Sequence, residues 1–434
     1  MKQLTRLFIP ICLETLFYML SGMVDTLMLS AVGDYAVGAV GTANSYIGIF
    51  IIMFSIISSG MVSVMTQNIG AGRPGVAYQA RQLGLLFNAV AGVLMAVFLF
   101  SGAGAILRMV GIADALYEPA LIYLKIVGGG CILNAVIPIF SSYLRAFGYT
   151  MQPLYATIVG NIANFVMNAV FLFVLHKGVA GVAAATVISK ILNLCIVLYF
   201  SHKLISAKNS TERIANKTVL GQIVKVGLPS ACETALYNVA MMLVIRFLNQ
   251  MDAEGLNVTA RSYTATISNF SYCVGAALAQ ANAIMTGWHI GAGELEECDR
   301  GTKRAAFVGV CVAVCMETAI VLGSGFIMPL FTDNPEMTAL VRKLLAIDIV
   351  LEIGRVTNLV FGQALKTSGD AVFPAVIAAV FMFVFAVGGT WLFGISMGLM
   401  AVGAYIGLAS DECVRAVGMV WRWKTGKWRT KKLV

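Results

Sequence analysis

The chain is dominated by apolar runs of about 20 residues or more, such as Ile47–Met65 and Ala371–Gly394, without polar–apolar alternation. Hydrocarbon offers no water to backbone N–H and C=O groups, so only helices and closed barrels cross a bilayer. A helix needs about 20 apolar residues for the crossing, whereas a barrel strand alternates over about 10. Runs of this kind specify a helix bundle. Composition agrees, because only 12% of the 434 residues are charged and mean hydropathy is +0.85. A soluble domain carries roughly twice that share of charge, so lipid is the solvent for much of the exterior.

Residues 1–30 begin with Lys2 and Arg6, but the apolar run behind them contains Glu14 and Asp25 and is too long for a signal peptide. It reads as the first of twelve spans. These are expected near 5–30, 43–67, 82–106, 118–143, 153–175, 180–202, 223–249, 260–288, 304–328, 339–364, 372–394 and 399–421. The polar stretch 203–222 is the one long connection, which predicts an N-lobe over 1–202, a linker over 203–222, a C-lobe over 223–421 and a basic tail over 422–434. Cations gather after the even-numbered spans and at both ends, among them Arg73, Arg145, Lys208, Lys366 and six in the tail. Opposite loops hold acids instead, including Asp34, Asp114, Asp252, Glu254 and Asp333. The positive-inside rule then puts both termini in the cytoplasm and the chain in the cell membrane. Read this way, the net charge of +9 reports topology and headgroup contact, with Trp421, Trp423 and Trp428 at the interface, not a nucleic-acid site. The nine cysteines form no CxxC pair and are expected as reduced packing residues.

The two halves repeat. Pro10-x3-Glu14-Thr15-x2-Tyr18 returns as Pro229-x3-Glu233-Thr234-x2-Tyr237, 219 residues on. Ile69-Gly70-Ala71-Gly72 returns as Ile290-Gly291-Ala292-Gly293, and Leu144-Arg145-x2-Gly148-x4-Pro153 as Leu365-Lys366-x2-Gly369-x4-Pro374, both 221 residues on. Six spans per half give the repeats one topology, as in carriers whose halves are related about the membrane normal. Pro10, Glu14 and Pro229 are therefore hinge or gate candidates.

At these motifs the sequence resembles the multidrug and toxic compound extrusion (MATE) family. The resemblance is carried by PICLETLFYMLSGMVDTLMLSAVGDYAVGAVG, GMVSVMTQNIGAG, LRAFGYTMQP, VGLPSACET and EIGRVTNLVFGQALKTSGDAVFP, and spans essentially the whole chain. It implies an all-α membrane protein of twelve helices in two pseudo-symmetric six-helix bundles. It further implies a monomer that exports small organic compounds, often cationic, against an inward flow of protons or sodium, and no enzyme activity.

Departures from the repeat mark where chemistry concentrates. Asp25 has no acidic counterpart, since the offset of 219 lands on Val244. A carboxylate within a span costs about 2.5–3.5 kcal/mol on insertion scales, so it needs a partner, a proton or an ion. The resemblance places the family's N-lobe acid on Asp25. Asn161, Asn164 and Asn168 share one helix face, and their repeat positions are Met382, Phe385 and Gly389. Many relatives carry Asn then Asp where this chain has Asn164 and Asn168, so an acidic ligand is missing and Asp25 is left as the main titratable group. Thr186 is a further carry-over. In the C-lobe, some relatives use acids from spans seven and ten for a cation. Glu233 with Asp348 or Glu352 could reproduce that, but Arg355 one turn on argues for ion pairing instead, and the same reading applies to Asp411, Glu412 and Arg415. Lys125, Lys190 and Arg246 read as snorkelling side chains.

GAGRPG and GAGELE lack the Lys-Ser/Thr of a phosphate loop, and the basic signature of a major-facilitator carrier is missing after span two. The alternative within the same superfamily is a lipid-linked oligosaccharide flippase, whose cationic cavity contrasts with the acidic and amide-rich groups here. A membrane scaffold would have no use for Asp25 opposite an asparagine face. The expectation is alternating-access antiport, with a bound proton or sodium as the only added group and membrane lipid as the only other partner.

Overall fold

A computed structural model describes the chain except for residues 1, 111, 206–211 and 253–254; Lys208 and Glu254 thus lie outside the described residues. All regular structure is helical: α1 (Lys2–Ser30), α2 (Asp34–Gly70), α3 (Pro74–Val110), α4 (Asp114–Gly129), α5 (Cys131–Ala146), α6 (Met151–Ala169), α7 (Gly178–Leu204), α8 (Asn216–Met251), α9 (Leu256–Ala292), α10 (Leu295–Ile327), α11 (Pro335–Ser368), α12 (Val372–Phe381) and α13 (Met400–Lys424). Thirteen helices fulfil twelve expected spans because span four is broken: α4 and α5 meet at 41°. The break falls at Gly128-Gly129-Gly130, where backbone entropy and missing side chains favour a bend. Its counterpart, α11, has Ile349-Val350-Leu351 at that place and runs unbroken for 34 residues.

The chain divides into two compact units, Lys2–Gly227 and Leu228–Val434. Each is organised around its own buried core. In the first, α2, α3, α4 and α7 close around Leu99, Leu107, Leu124 and Val182. In the second, α9, α11 and α13 enclose Leu344, Leu345, Ala401 and Ala404.

The repeated motifs are helix stops. Gly72, Gly148, Gly293 and Gly369 all have left-handed φ, at 73°, 84°, 79° and 97°. Each glycine N–H returns to the carbonyl three residues back, and the following N–H to one five back, as in Arg73 N to Asn68 O at 2.8 Å and Asp370 N to Leu365 O at 3.0 Å. That is the Schellman closure, which satisfies the last carbonyls of a helix where water is scarce. The helices ending spans six and twelve are preceded in both units by a widened turn, Val170–Val174 and Thr390–Ser396. Such π-turns are rare and often mark functional positions; the first directly follows Asn168.

The paired glutamates hold the frame together. Glu14 Oε1 meets Arg145 Nη2 at 2.6 Å, and Glu233 Oε2 meets Lys366 Nζ at 2.7 Å. Both cations come from the Leu-Arg/Lys-x2-Gly motif, so one repeated element is tied to another. The expectation that Arg145 and Lys366 act only as loop charges is corrected: each lies in the last turn of its helix, turned onto a carboxylate. Pro10 removes the hydrogen bond to Arg6 O, and Thr150 Oγ1 donates to that carbonyl at 3.4 Å. Glu14 is therefore free for the ion pair.

The tail also differs from expectation. Trp423 and Trp428 are each 1% exposed, and only Trp421 is left outside. The two buried indoles stack at 4.2 Å; Trp423 Nε1 donates to Asp299 Oδ1 at 2.7 Å, and Arg422 grips Asp370 at 2.7 and 3.2 Å. The tail is thus packed onto the ends of α10, α11 and α13 instead of lying loose against headgroups. Lys431 O would stand 2.3 Å from a Cβ at Gly369, whereas nothing lies within 4 Å of one at Gly72.

Gly72→Ala should therefore lower the melting temperature slightly, by the left-handed cost of about 1–2 kcal/mol alone. Gly369→Ala should lower it further and shift tryptophan fluorescence to the red as the tail lifts; equal effects at both positions would contradict the packing. For the ion pair, Arg145→Lys should keep the thermal stability of the detergent-solubilised protein, as the lysine in the other repeat implies. Arg145→Ala should reduce it clearly, and adding Glu14→Ala to Arg145→Ala should cost less than the two single changes summed, since a lone charge in a span is worse than none.

Candidate functional site

Two polar groups remain once the frame is accounted for, one in each unit. In the first unit, Asn168 Nδ2 donates to Asp25 Oδ1 at 2.8 Å and to Asn164 Oδ1 at 3.1 Å. Asn164 and Asn168 stand one turn apart on the buried side of α6, with Asn168 wholly buried and Asp25 partly so on α1. Asn168 Oδ1 has no hydrogen-bond partner among the described residues. An acceptor left bare in that place costs about 1–3 kcal/mol, and it faces a site that a proton or cation would complete.

Asn161 is not part of this group. Its amide donates to Phe17 O at 2.9 Å and pins α6 to α1 further along the helix. Thr186 sits at the edge: its hydroxyl donates to Val182 O at 2.9 Å on its own helix, while the Tyr123 phenol lies against Thr186 and Asn44. Sequence reasoning missed Tyr123 and misread Lys190. Lys190 does not snorkel. Its Nζ donates to Asn134 Oδ1 at 2.7 Å inside the unit, close enough to act on Asp25 through space. Its signal was a lone cation midway along α7 (Gly178–Leu204), not at an end.

The second unit holds a cavity of about 460 Å³ lined by Glu233, Tyr237, Arg261, Tyr272, Arg355 and Lys366 among others. Expected ion pairs are present: Arg355 binds Glu352 and lies 3.7 Å from Glu412, and Arg415 meets Asp411 and Glu412 at 2.7 and 2.8 Å. Asn358 Nδ2 adds a bond to Glu412 Oε2 at 3.1 Å. Gly354 makes this possible, since a Cβ there would lie 2.7 Å from Cys413 N where α11 crosses α13. Glu233 borders the same cavity but is taken by Lys366, so the pairing of Glu233 with Asp348 or Glu352 across spans seven and ten does not form. Nor is the lining acidic as the sequence suggested. Arg261, Arg355, Lys366 and Arg415 balance Glu233, Asp348, Asp411 and Glu412. Sequence reasoning also passed over Glu317, a single acid in the apolar run of α10, which is completely buried beside Asp348 and Glu352.

Comparison with known proteins places these groups in context. The family model described as MatE matches residues 10–170 and 229–392, one stretch in each half. An uncharacterized transporter of Bacillus subtilis, YisQ, is 32% identical over 428 residues, covering 97% of this chain and 94% of the relative. A probable multidrug resistance protein NorM of Thermotoga maritima is 20% identical over 446 residues, covering 100% of this chain and 94% of the relative. Among solved structures, an outward-facing multidrug resistance MATE transporter of the MOP superfamily superposes with a TM-score of 0.85 at 21% identity, over 98% of this chain and 96% of that one. A MOP superfamily transporter from Pyrococcus furiosus, described as having a binding pocket of reverse polarity, gives 0.84 at 20% identity, over 99% and 96%. These structures share the fold, two helical bundles spanning a membrane. With both halves matched by the family model and one relative similar across nearly its whole length, the chain belongs to the MATE family of multidrug-type membrane transporters.

Proposed function

We propose that this transporter exports amphipathic or cationic organic compounds in exchange for protons, with Asp25 as the coupling carboxylate. The observation that carries the reading is the Asp25–Asn168–Asn164 chain beside an unsatisfied amide oxygen. A proton taken up by Asp25 would turn an acceptor into a donor, and Asn168 Oδ1 is the acceptor nearby that lacks one. Proton exchange thus has a local structural consequence: the hydrogen bonds between α1 and α6 rearrange, next to the widened turn of Val170–Val174.

A metal ion fits this place less well. The group offers a single carboxylate, and the ammonium of Lys190 acts on it. Sodium sites are built from several oxygens without a competing cation. The balanced lining of the second unit's cavity supports amphipathic cargo, for which Tyr237 and Tyr272 supply flat apolar surface and the alternating charges supply polar anchors. It also differs from the cationic cavity expected of a flippase. Pro10 and Pro229 give α1 and α8 weakened points about which each could bend during transport.

Reconstituted in proteoliposomes, the wild type should drive efflux of a fluorescent lipophilic cation under a proton gradient and not under a sodium gradient alone. Asp25→Asn should reduce that efflux to the level of empty liposomes while keeping the melting temperature. Equal transport by both proteins would remove Asp25 from the coupling step.

A further inference from the structure

The second unit contains a group of buried oxygens that its ion pairs do not use. Glu317 comes from α10, and Asp348 and Glu352 lie one turn apart on α11; one carboxylate oxygen of each lies within 4.8 Å of the others. Glu317 and Glu352 are 0% exposed and Asp348 is 3% exposed. Both oxygens of Glu317, together with Asp348 Oδ2 and Glu352 Oε2, have no hydrogen-bond partner among the described residues. Two serines of α9 face the same place: Ser268 beside Asp348 and Ser271 beside Glu317, 4% and 1% exposed, with hydroxyls that also lack a partner. Six oxygens from three helices therefore converge with their hydrogen-bonding capacity unspent.

The neighbouring cations are already committed. Arg355 engages Glu352 through Oε1, leaving Oε2 to the cage, and its other contact is Glu412. Arg415 holds Asp411 and Glu412. The remaining neighbours, Tyr272 on α9 and Tyr405 on α13, carry no charge as phenols. Five acids thus share two arginines, and Glu317 and Asp348 have no cation of their own. An uncompensated charge of that size inside a membrane protein is expensive.

We propose that Glu317, Asp348, Glu352, Ser268 and Ser271 form a binding site for a hard metal cation of sodium or calcium size. The donor set is oxygen alone, which selects hard cations over zinc or copper. Oxygens up to 4.8 Å apart leave about 2.4 Å or slightly more between each and a central ion. That suits calcium-sized ions at about 2.3–2.6 Å and is too long for magnesium at about 2.0–2.1 Å. The site differs from one shared between spans seven and ten, because its ligands come from spans eight, nine and ten and Glu233 is engaged elsewhere. It is also separate from Asp25 and stands whether or not Asp25 couples transport.

The test uses full-length protein carrying Asp25→Asn, so that no ion held in the first unit contributes. Equilibrium binding of radioactive sodium and calcium, each alone and with excess magnesium, should give one saturable site for at least one of the two ions, undisturbed by magnesium. Which ion binds names the occupant. Adding Glu317→Gln should weaken binding at least tenfold, and Ser271→Ala several-fold. Absence of saturable binding for both ions, or binding unaltered by Glu317→Gln, overturns the proposal. Should Glu317→Gln not give monodisperse protein, Ser271→Ala decides: unchanged affinity overturns the site. A loss of proton-driven efflux in Asp25→Asn alone bears on the first unit only, so the two readings fail separately.

Discussion

A membrane interior has no solvent for charge, and every polar group within the spans of this protein has to be answered by another part of the chain or by something it binds. That constraint organises the molecule. Helix ends are closed by left-handed glycines at Gly72, Gly148, Gly293 and Gly369. The carbonyl released by Pro10 is covered by Thr150, and the two glutamates that follow the helix prolines are matched by Arg145 and Lys366. Each solution that appears at an equivalent place in both units belongs to the scaffold.

What is left over differs between the units, and function is concentrated there. Repeat-related positions are polar in both but chemically unlike. Asn134 and Lys190 bond to each other in the first unit; 221 residues on stand Arg355 and Asp411, which enter a network with Glu352, Glu412 and Arg415. Asn164 and Asn168 have only Phe385 and Gly389 opposite them in the repeat, and Glu317 has Ala96. A symmetric frame of two bundles thus carries one amide–carboxylate chain and one carboxylate cage. Among the described residues, eight helices are apolar enough to qualify as spans by composition, nine with the bent α4–α5 pair. Those that fall short, α9, α11 and α13, are the helices that carry the charges of the second unit, so their polarity reflects the cavity they line.

Much of this was legible in the sequence, for identifiable reasons. Run length and missing alternation specified helices, and the motif offsets specified two like halves, because both are local properties of the chain. Asp25 and Asn168 stood out by breaking the repeat. Pairings were harder to read. Helical spacing put Asn161 on the face of Asn164 and Asn168, yet a face is long, and Asn161 meets Phe17 O instead of Asp25. Glu233 could be placed near span ten but not assigned to Lys366 in preference to Asp348, because that choice depends on how α8 and α11 cross. Lys190 and Glu317 looked like isolated charges, and only three-dimensional packing gives them neighbours. The burial of Trp423 and Trp428 was hidden for the same reason: their composition suits a membrane interface equally well.

The central claim is that a proton carried by Asp25 is exchanged for organic cargo. Its most direct test follows the proton itself, with a pH-sensitive dye trapped in proteoliposomes that are given a substrate gradient and no sodium. The account predicts that substrate movement drives protons in the opposite direction, saturably, and that the signal is absent with Asp25→Asn. Substrate flux with no accompanying proton movement would contradict it.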